Sequence, residues 1–309
     1  MQDNVDISAS RILIVDDARE NVRVLASILR DEASVSFSLS GEDALMKAET
    51  TLPDLILLDI EMPGMDGHEV IKRLKSSPRT ALIPVIFVTS HAEAEDEEVG
   101  LRLGAIDYIT KPYNPSIVRA RVRNQLMLRA YARQLEDLNS ELVRLATTDP
   151  LTGILNRRAF RERATLELRR IDRYGGAACL LMMDLDHFKL VNDSYGHDAG
   201  DAVLCVAAQR VAEQLRETDV FGRLGGEEFA VLVTDTTVEL GEVVAARLLS
   251  TLRDEPVSWN GLEIAITMSI GATALQPGDG TLDVALARAD QALYASKGAG
   301  RDRVEVRAA

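Results

Sequence analysis

Arg223-Leu224-Gly225-Gly226-Glu227-Glu228-Phe229 has the form of a hairpin turn. Thr218 to Gly222 before it reads as a short strand, and Phe229-Ala230-Val231-Leu232-Val233 after it is an apolar run of strand formers. The glycine pair therefore falls where the chain reverses, with Glu227 on the tip or shoulder of the turn. Standing alone, such a stretch is a tight turn followed by solvated acids. Its neighbours change that reading. Ala178-Cys179-Leu180-Leu181-Met182-Met183 is a buried-strand candidate that ends in Asp184-Leu185-Asp186, followed by Phe188-Lys189 and Asn192-Asp193. A strand end beside a hairpin tip would bring Asp184 and Glu227 together. Two carboxylates at that range repel unless a cation lies between them, and all-oxygen ligands select Mg²⁺ or Mn²⁺.

Glycine leaves the turn backbone open to a bulky anion, so the whole has the outline of a metal-dependent nucleotidyl-transfer site. The segment resembles the GGDEF family of diguanylate cyclases in its Gly-Gly-Glu-Glu-Phe form. Three further stretches stand in the family's order: Thr148-Asp149-Pro150-Leu151-Thr152-Gly153 with Asn156-Arg157-Arg158, Asp184 through Asp201, and Ala292-Leu293-Tyr294 through Arg301.

The resemblance implies condensation of two GTP to cyclic di-GMP with release of two pyrophosphates. It makes Asp184, the backbone carbonyl of Leu185 and Glu227 ligands of Mg²⁺ or Mn²⁺. Glu227 also lies where the attacking hydroxyl loses its proton, and Glu228 is a supporting acid. Asn192 and Asp201 match guanine readers, His197 is a base or ribose contact, and Lys189, Lys297 and Arg301 match phosphate contacts. One domain holds one GTP, so the resemblance implies a homodimer or a tetramer. Arg216 and Asp219, with Arg247, match an inhibitory site for cyclic di-GMP. An arginine fork and a carboxylate together complement the guanine edge.

At 309 residues the chain is long enough for two ordinary domains. Its net charge of −14 argues against nucleic acid or an anionic membrane as the main partner. Cys179 and Cys205 lie in apolar stretches without metal or redox spacing, and are expected as buried thiols in a reducing compartment. Met1 to Ser10 lacks the features of a signal peptide, and no apolar run approaches the roughly 20 residues needed to span a bilayer. A cytoplasmic protein is expected.

In the N-terminal half, Ile12-Leu13-Ile14-Val15 is a doubly buried strand candidate ending in Asp16-Asp17, with a helix expected from about Ala18 to Arg30. Leu55-Ile56-Leu57-Leu58 ends in Asp59, Val85-Ile86-Phe87-Val88 in Thr89-Ser90, and Tyr108-Ile109-Thr110 in Lys111-Pro112. Strand, polar residue and helix, four times over, predict a parallel α/β sheet with its chemistry at the strand C-termini. The set resembles a response-regulator receiver domain with a doubly wound, flavodoxin-like sheet. The resemblance makes Asp59 the acceptor of a phosphoryl group from a cognate histidine kinase, and Asp16, Asp17, Asp59 and the carbonyl of Glu61 ligands of Mg²⁺. Thr89 and Lys111 bind the acyl phosphate, Tyr108 is the aromatic switch, and a cis bond precedes Pro112.

Between Pro115 and Thr147 turn signals disappear. Leu128, Tyr131, Leu135, Leu138, Leu142 and Leu145 step by threes and fours, as in the seam of a two-stranded coiled coil. The alternative is one helix packed on its own receiver. Helices are expected at 158–174, 200–217, 238–253 and 282–295, and strands at 179–184, 220–223, 229–233 and 264–272. This mixture fits an α+β, ferredoxin-like or palm-like sheet. The expected organisation is a receiver over 10–126, a helical stalk over 115–147 and a GGDEF domain over 148–306. The rival readings are an inactive GTP- or cyclic di-GMP-binding regulator, and a DNA-binding regulator, for which the C-terminal half lacks a basic recognition helix.

Overall fold

The computed structural model describes residue 7 and residues 9–90, 100 and 102–308. The helix that the alternation requires after Thr89-Ser90, and most of the Met1 to Ser10 stretch, fall outside the described residues. The chain separates into two compact units, Met1–Asn139 and Ser140–Ala309.

The first unit runs β1 (Arg11–Val15), α1 (Arg19–Leu29), β2 (Ser34–Ser38), α2 (Gly41–Thr51), β3 (Leu55–Asp59), α3 (Gly67–Ser76), β4 (Val85–Thr89), β5 (Asp107–Thr110) and α4 (Pro115–Thr147). Its five strands are all parallel, in the order β2-β1-β3-β4-β5, which is the flavodoxin-like order. The four strands read from the sequence are present as β1, β3, β4 and β5. The fifth, β2, escaped that reading because Ser-Val-Ser-Phe-Ser at the sheet edge buries only Ser38 and carries no apolar run. Alternate residues of β1 and β3 feed opposite faces. Ile12, Ile14 and Leu57 pack with α1 and α4, and Leu13, Ile56 and Leu58 pack with α2 and α3.

Helix α4 changes character along its length. Val118, Val122 and Leu126 are buried in the core of the first unit, where each contributes about 1.5–3 kcal/mol of transfer free energy. One turn beyond the seam's start, Arg133 pairs with Asp54, whose other oxygen accepts from the Arg11 amide at 2.8 Å. The seam residues themselves are exposed: Leu128 by 61%, Leu135 by 67% and Leu142 by 64%. The start of the helix thus packs on the first unit, while the stripe beyond has no cover within the chain's described residues.

The second unit runs β6 (Leu155–Asn156), α5 (Arg157–Tyr174), β7 (Ala178–Leu185), α6 (Phe188–Tyr195), α7 (His197–Glu213), β8 (Val220–Gly225), β9 (Glu228–Val233), α8 (Val238–Arg253), β10 (Val257–Trp259), β11 (Leu262–Ile264), β12 (Met268–Leu275), α9 (Leu282–Gly298) and β13 (Val304–Val306). The main sheet has the order β13-β12-β7-β9-β8-β6, with β10 and β11 forming a separate hairpin. Its four central strands, β12-β7-β9-β8, are antiparallel in the ferredoxin-like order.

Two expected elements differ. The helix expected over 200–217 is α7, which starts at His197, ends at Glu213 and follows a separate helix α6; Gly196, at φ +87°, breaks the two apart. The strand expected over 264–272 is split between β11 and β12, because the chain leaves one hairpin and joins the main sheet within it.

Cys179 is buried as expected, and burial pushes its thiol up to about 12. It faces Gly241 of α8 so closely that a Cβ there would lie 2.3 Å from its sulfur. Cys205 is only half-buried, because α7 turns it toward the 148–155 segment, where its Sγ donates to the Leu151 carbonyl at 3.2 Å. No helix among the described residues is long and apolar enough to cross a membrane.

Candidate functional site

In the first unit, parallel strands deliver their C-terminal residues to one sheet edge. Asp16 follows β1 and Asp59 ends β3; both are buried, while Asp17 is exposed. One carboxylate oxygen from each of Asp16, Asp17 and Asp59 lies within 4.8 Å of the others. Lys111, after β5, spans two of them, at 3.1 Å from Asp16 and 2.9 Å from Asp59. Asp16 is oriented by the Ala18 amide at 2.9 Å and the Asn21 side-chain amide at 3.0 Å.

Burial pushes the Asp59 carboxyl up to about 6; Lys111 pulls against this rise and the Asp16 charge adds to it. Such a cluster of like charges, all oxygen, fits a hard divalent cation. Thr89 is buried at the end of β4, and Glu61 accepts from the Ser90 hydroxyl at 3.0 Å. Tyr108 lies on β5 with the Arg121 guanidinium 5.3 Å from its ring centroid, and Arg121 pairs with Asp107. The Lys111-Pro112 bond is cis.

In the second unit, the β7–β9 register sets Asp184 opposite Glu228. The Leu185 amide donates to the Glu227 carbonyl at 3.3 Å, so the strand end and the hairpin turn are joined. Asp184 is 6% exposed and pairs with Lys297 of α9 at 2.8 Å. Burial pushes its carboxyl above the ordinary range, Lys297 opposes this, and Glu227 and Glu228 add to the rise. Here too a second cation would relieve the carboxylates.

The turn carries Gly225 at φ +153° and Gly226 at φ +51°, and a Cβ on either would meet only open space. Glycine serves there for its backbone conformation, and it leaves the approach clear. Arg223 fixes the turn from inside, donating to the Gly226 carbonyl through Nε at 2.9 Å and Nη2 at 2.7 Å. Its Nη1 meets Asp149 at 3.0 Å. Burial alone would raise the Asp149 carboxyl, but hydrogen bonds from Thr152 and Arg223 hold it below the usual range. Both residues stand in the sequence motifs without a role of their own there; their link, spanning two motifs, is a tertiary fact.

Asn192 of α6 sits over the first turn of α7, where a Cβ on Gly200 would lie 1.9 Å from its Oδ1. His197 and Asp201 are exposed on that same turn, and Lys189 is exposed on α6. Arg301 is exposed beyond α9.

Arg216 and Asp219 occupy the turn between α7 and β8. Asp219 accepts from the Arg216 amide at 2.9 Å and the Thr234 amide at 3.1 Å, so it braces backbone and forms no ion pair with the Arg216 guanidinium. Arg247 of α8 reaches the Gln214 carbonyl at 2.9 Å, which brings it beside this turn.

Residues 146–303 match the family described as "Diguanylate cyclase, GGDEF domain", and residues 12–123 match "Response regulator receiver domain". The chain belongs to the GGDEF family, as a response regulator. This GGDEF response regulator is 31% identical over 307 residues to Response regulator PleD of Caulobacter vibrioides, across 99% of this chain and 67% of PleD. It is 43% identical over 178 residues to diguanylate cyclase DgcP of Pseudomonas aeruginosa, across 58% of this chain and 26% of DgcP. Among solved structures, the coiled coil and GGDEF domain of DgcB from Caulobacter crescentus in complex with c-di-GMP gives a TM-score of 0.56 at 29% identity, covering 62% of this chain and 99% of that one. Diguanylate cyclase SiaD in complex with its activator SiaC, from Pseudomonas aeruginosa, gives 0.52 at 34% identity, covering 69% and 78%.

Proposed function

We propose that the chain is a diguanylate cyclase controlled by phosphorylation, which joins two GTP into cyclic di-GMP across a dimer of GGDEF domains and is inhibited by its product. The reading divides the chain into a receiver (10–126), a stalk (115–147) and a cyclase domain (148–306). The observation that carries it is the junction of β7 with the glycine turn, where a buried Asp184 meets Lys297 at 2.8 Å and the Leu185 amide meets the Glu227 carbonyl at 3.3 Å.

In this reading Asp184, the Leu185 carbonyl and Glu227 hold Mg²⁺ or Mn²⁺. When bound, the metal neutralises the α-phosphate and acidifies the ribose 3′-hydroxyl that attacks it. Glu227 receives that proton, and Glu228 supports it. Asn192 and Asp201 read the guanine edge, His197 contacts the ribose, and Lys189, Lys297 and Arg301 neutralise the triphosphate. Because each domain holds one GTP, in-line attack needs a second domain facing the first, and catalysis is mostly positioning.

Asp59 is the proposed phosphoryl acceptor from a histidine kinase, with Mg²⁺ held by Asp16, Asp17, Asp59 and the Glu61 carbonyl. Thr89 and Lys111 contact the new phosphoryl oxygens and Tyr108 responds to them. Pairing of receivers would join the exposed stripe from Leu128 to Leu145 into a coiled coil. That raises the effective concentration of the cyclase domains toward the millimolar order. Arg216, Asp219 and Arg247 form the proposed inhibitory product site.

The test is GTP turnover by the full chain in Mg²⁺, with and without beryllofluoride, alongside sedimentation. Activation together with dimer formation, both lost in Asp59→Asn, is the expected outcome. Tight binding of GTP or cyclic di-GMP without any turnover would instead make the chain a nucleotide-binding regulator.

A further inference from the structure

Three consecutive residues after α9 have positive φ: Gly300 at +114°, Arg301 at +61° and Asp302 at +48°. Glycine takes this conformation freely, whereas an arginine and an aspartate in succession keep it only when their surroundings hold them there. The hold comes from Asp186. Its Oδ2 accepts from the Asp302 amide at 3.1 Å and from the Thr267 hydroxyl at 2.8 Å, and its Oδ1 accepts from the Ser269 hydroxyl at 2.7 Å. Asp186 is only 7% exposed, and its own amide donates to the Thr267 carbonyl at 2.9 Å. A carboxylate used this fully by three donors is an anchor, unlike Asp184 two residues earlier, which faces one lysine.

From outside, Arg253 of α8 grips the Asp302 carboxylate, through Nε at 2.8 Å and Nη2 at 2.8 Å. The Arg301 amide is tied to the Ser296 carbonyl at 3.1 Å, next to Lys297. The Arg301 guanidinium itself makes no ion pair or hydrogen bond among the described residues. The restraints fall on the turn backbone and on the Asp302 carboxylate, and the one arginine head of the turn is left facing solvent.

We infer that Asp186 is a positioning residue for triphosphate binding: it locks the 300–302 turn in the left-handed form that presents Arg301 to the phosphates. The inference deepens the cyclase reading and rests on Arg301 as a phosphate contact. It assigns to the strand end two separate carboxylate duties, Asp184 toward the metal and Asp186 toward the cation that meets the phosphates. Asparagine at 186 keeps the shape but carries no charge, so the Asp302 amide keeps at most a neutral hydrogen bond in place of a charge-assisted one and the hold on the turn weakens.

The experiment measures affinity of the full chain, in Mg²⁺, for a GTP analogue with a methylene bridge between the α- and β-phosphates. The proteins are wild type, Asp186→Asn, Arg301→Ala and the double variant, with KM and kcat for GTP taken on the same samples. Asp186→Asn should weaken analogue binding about tenfold or more and raise KM more than it lowers kcat. The double variant should bind no more weakly than Arg301→Ala alone, because the anchor acts only through that arginine. Wild-type affinity in Asp186→Asn, or losses that multiply in the double variant, would overturn the inference, since a merely structural aspartate acts independently of Arg301. Should Asp186→Asn not fold, the surface variant Arg253→Gln takes its place in the same cycle, with an expected loss of about threefold. A wild-type chain that fails to bind the analogue overturns the inference; one that binds it yet turns over no GTP sinks only the cyclase reading.

Discussion

The two acidic sites use the same local device and differ in closure. In each, a carboxylate at a strand end is buried, raised by that burial, and met by a lysine: Asp59 by Lys111 at 2.9 Å, and Asp184 by Lys297 at 2.8 Å. The receiver site gathers Asp16, Asp17 and Asp59 within one unit, and its lysine cross-links two of the three. The hairpin site is open. Its turn faces empty space, and its proposed guanine and phosphate contacts are exposed on separate elements. A parallel sheet converges its strand ends on one edge, whereas a hairpin tip projects a single turn; in the proposed function a second domain supplies the facing half. In the proposed function the contrast is between a switch that a single copy contains and a reaction that a single copy cannot perform.

The strongest way to break this contrast is at the open site. Glu227→Gln should lower cyclic di-GMP formation about a thousandfold, roughly 4 kcal/mol of transition-state stabilisation, with a nearly unchanged melting curve because the half-buried side chain keeps its shape and only its charge is removed. Near wild-type turnover by a folded variant would remove the turn from the chemistry. Next in size, Arg216→Ala should weaken inhibition by cyclic di-GMP about ten- to a hundredfold in an initial-rate titration. Superimposable curves would leave Arg216 as a surface residue of the turn.

At the closed site the expected effect is on stability. The folded-state value of Asp59 lies near 6, above the ordinary 3.8, so burial of its protonated form favours folding below about 3.8 and that contribution is lost as pH rises through about 6. Asp59→Asn should therefore be more stable than wild type by about 1–2 kcal/mol at pH 8 in chelator, with the gain gone by about pH 4. Urea titrations at the two pH values measure this, and Mg²⁺ should narrow the gap at pH 8. An equal gain at both would mean that the crowded carboxylates are not its source. Smallest is the effect at the stalk. Deleting one residue between Leu135 and Leu142 turns the downstream helix by roughly 100° and should cut activation by beryllofluoride severalfold, whereas a seven-residue deletion should largely keep it. Equal activation by both would point to a loose tether.

The legibility of each element in the sequence tracks its physics. Three strands of the receiver, β1, β3 and β4, announced themselves as continuous runs of Ile, Leu, Val and Phe, and the polar residue at the end of each marked the edge where chemistry gathers. Ser34–Ser38 had no such run, since an edge strand needs little burial to pair. The glycine turn was legible because the strands on both sides of it are apolar. The separation of α6 from α7 rested on Gly196 alone, inside a segment that otherwise reads as helix. The Asp149–Arg223 and Asp186–Asp302 links were not legible: they join residues 74 and 116 positions apart through contacts that only packing creates.

The close fit of Gly241 against Cys179 has a practical consequence for chemical labelling. A sulfur sealed beneath a helix backbone, with its thiol raised to about 12, supplies almost no thiolate to a maleimide or an oxidant. Cys205 is half-buried, and burial raises its thiol as well, so it should react slowly but ahead of Cys179. The unaltered sequence therefore offers one selective attachment point. It lies against the Leu151 carbonyl, in the segment whose Asp149 braces the glycine turn, so a fluorophore there would report on that turn without any engineered cysteine.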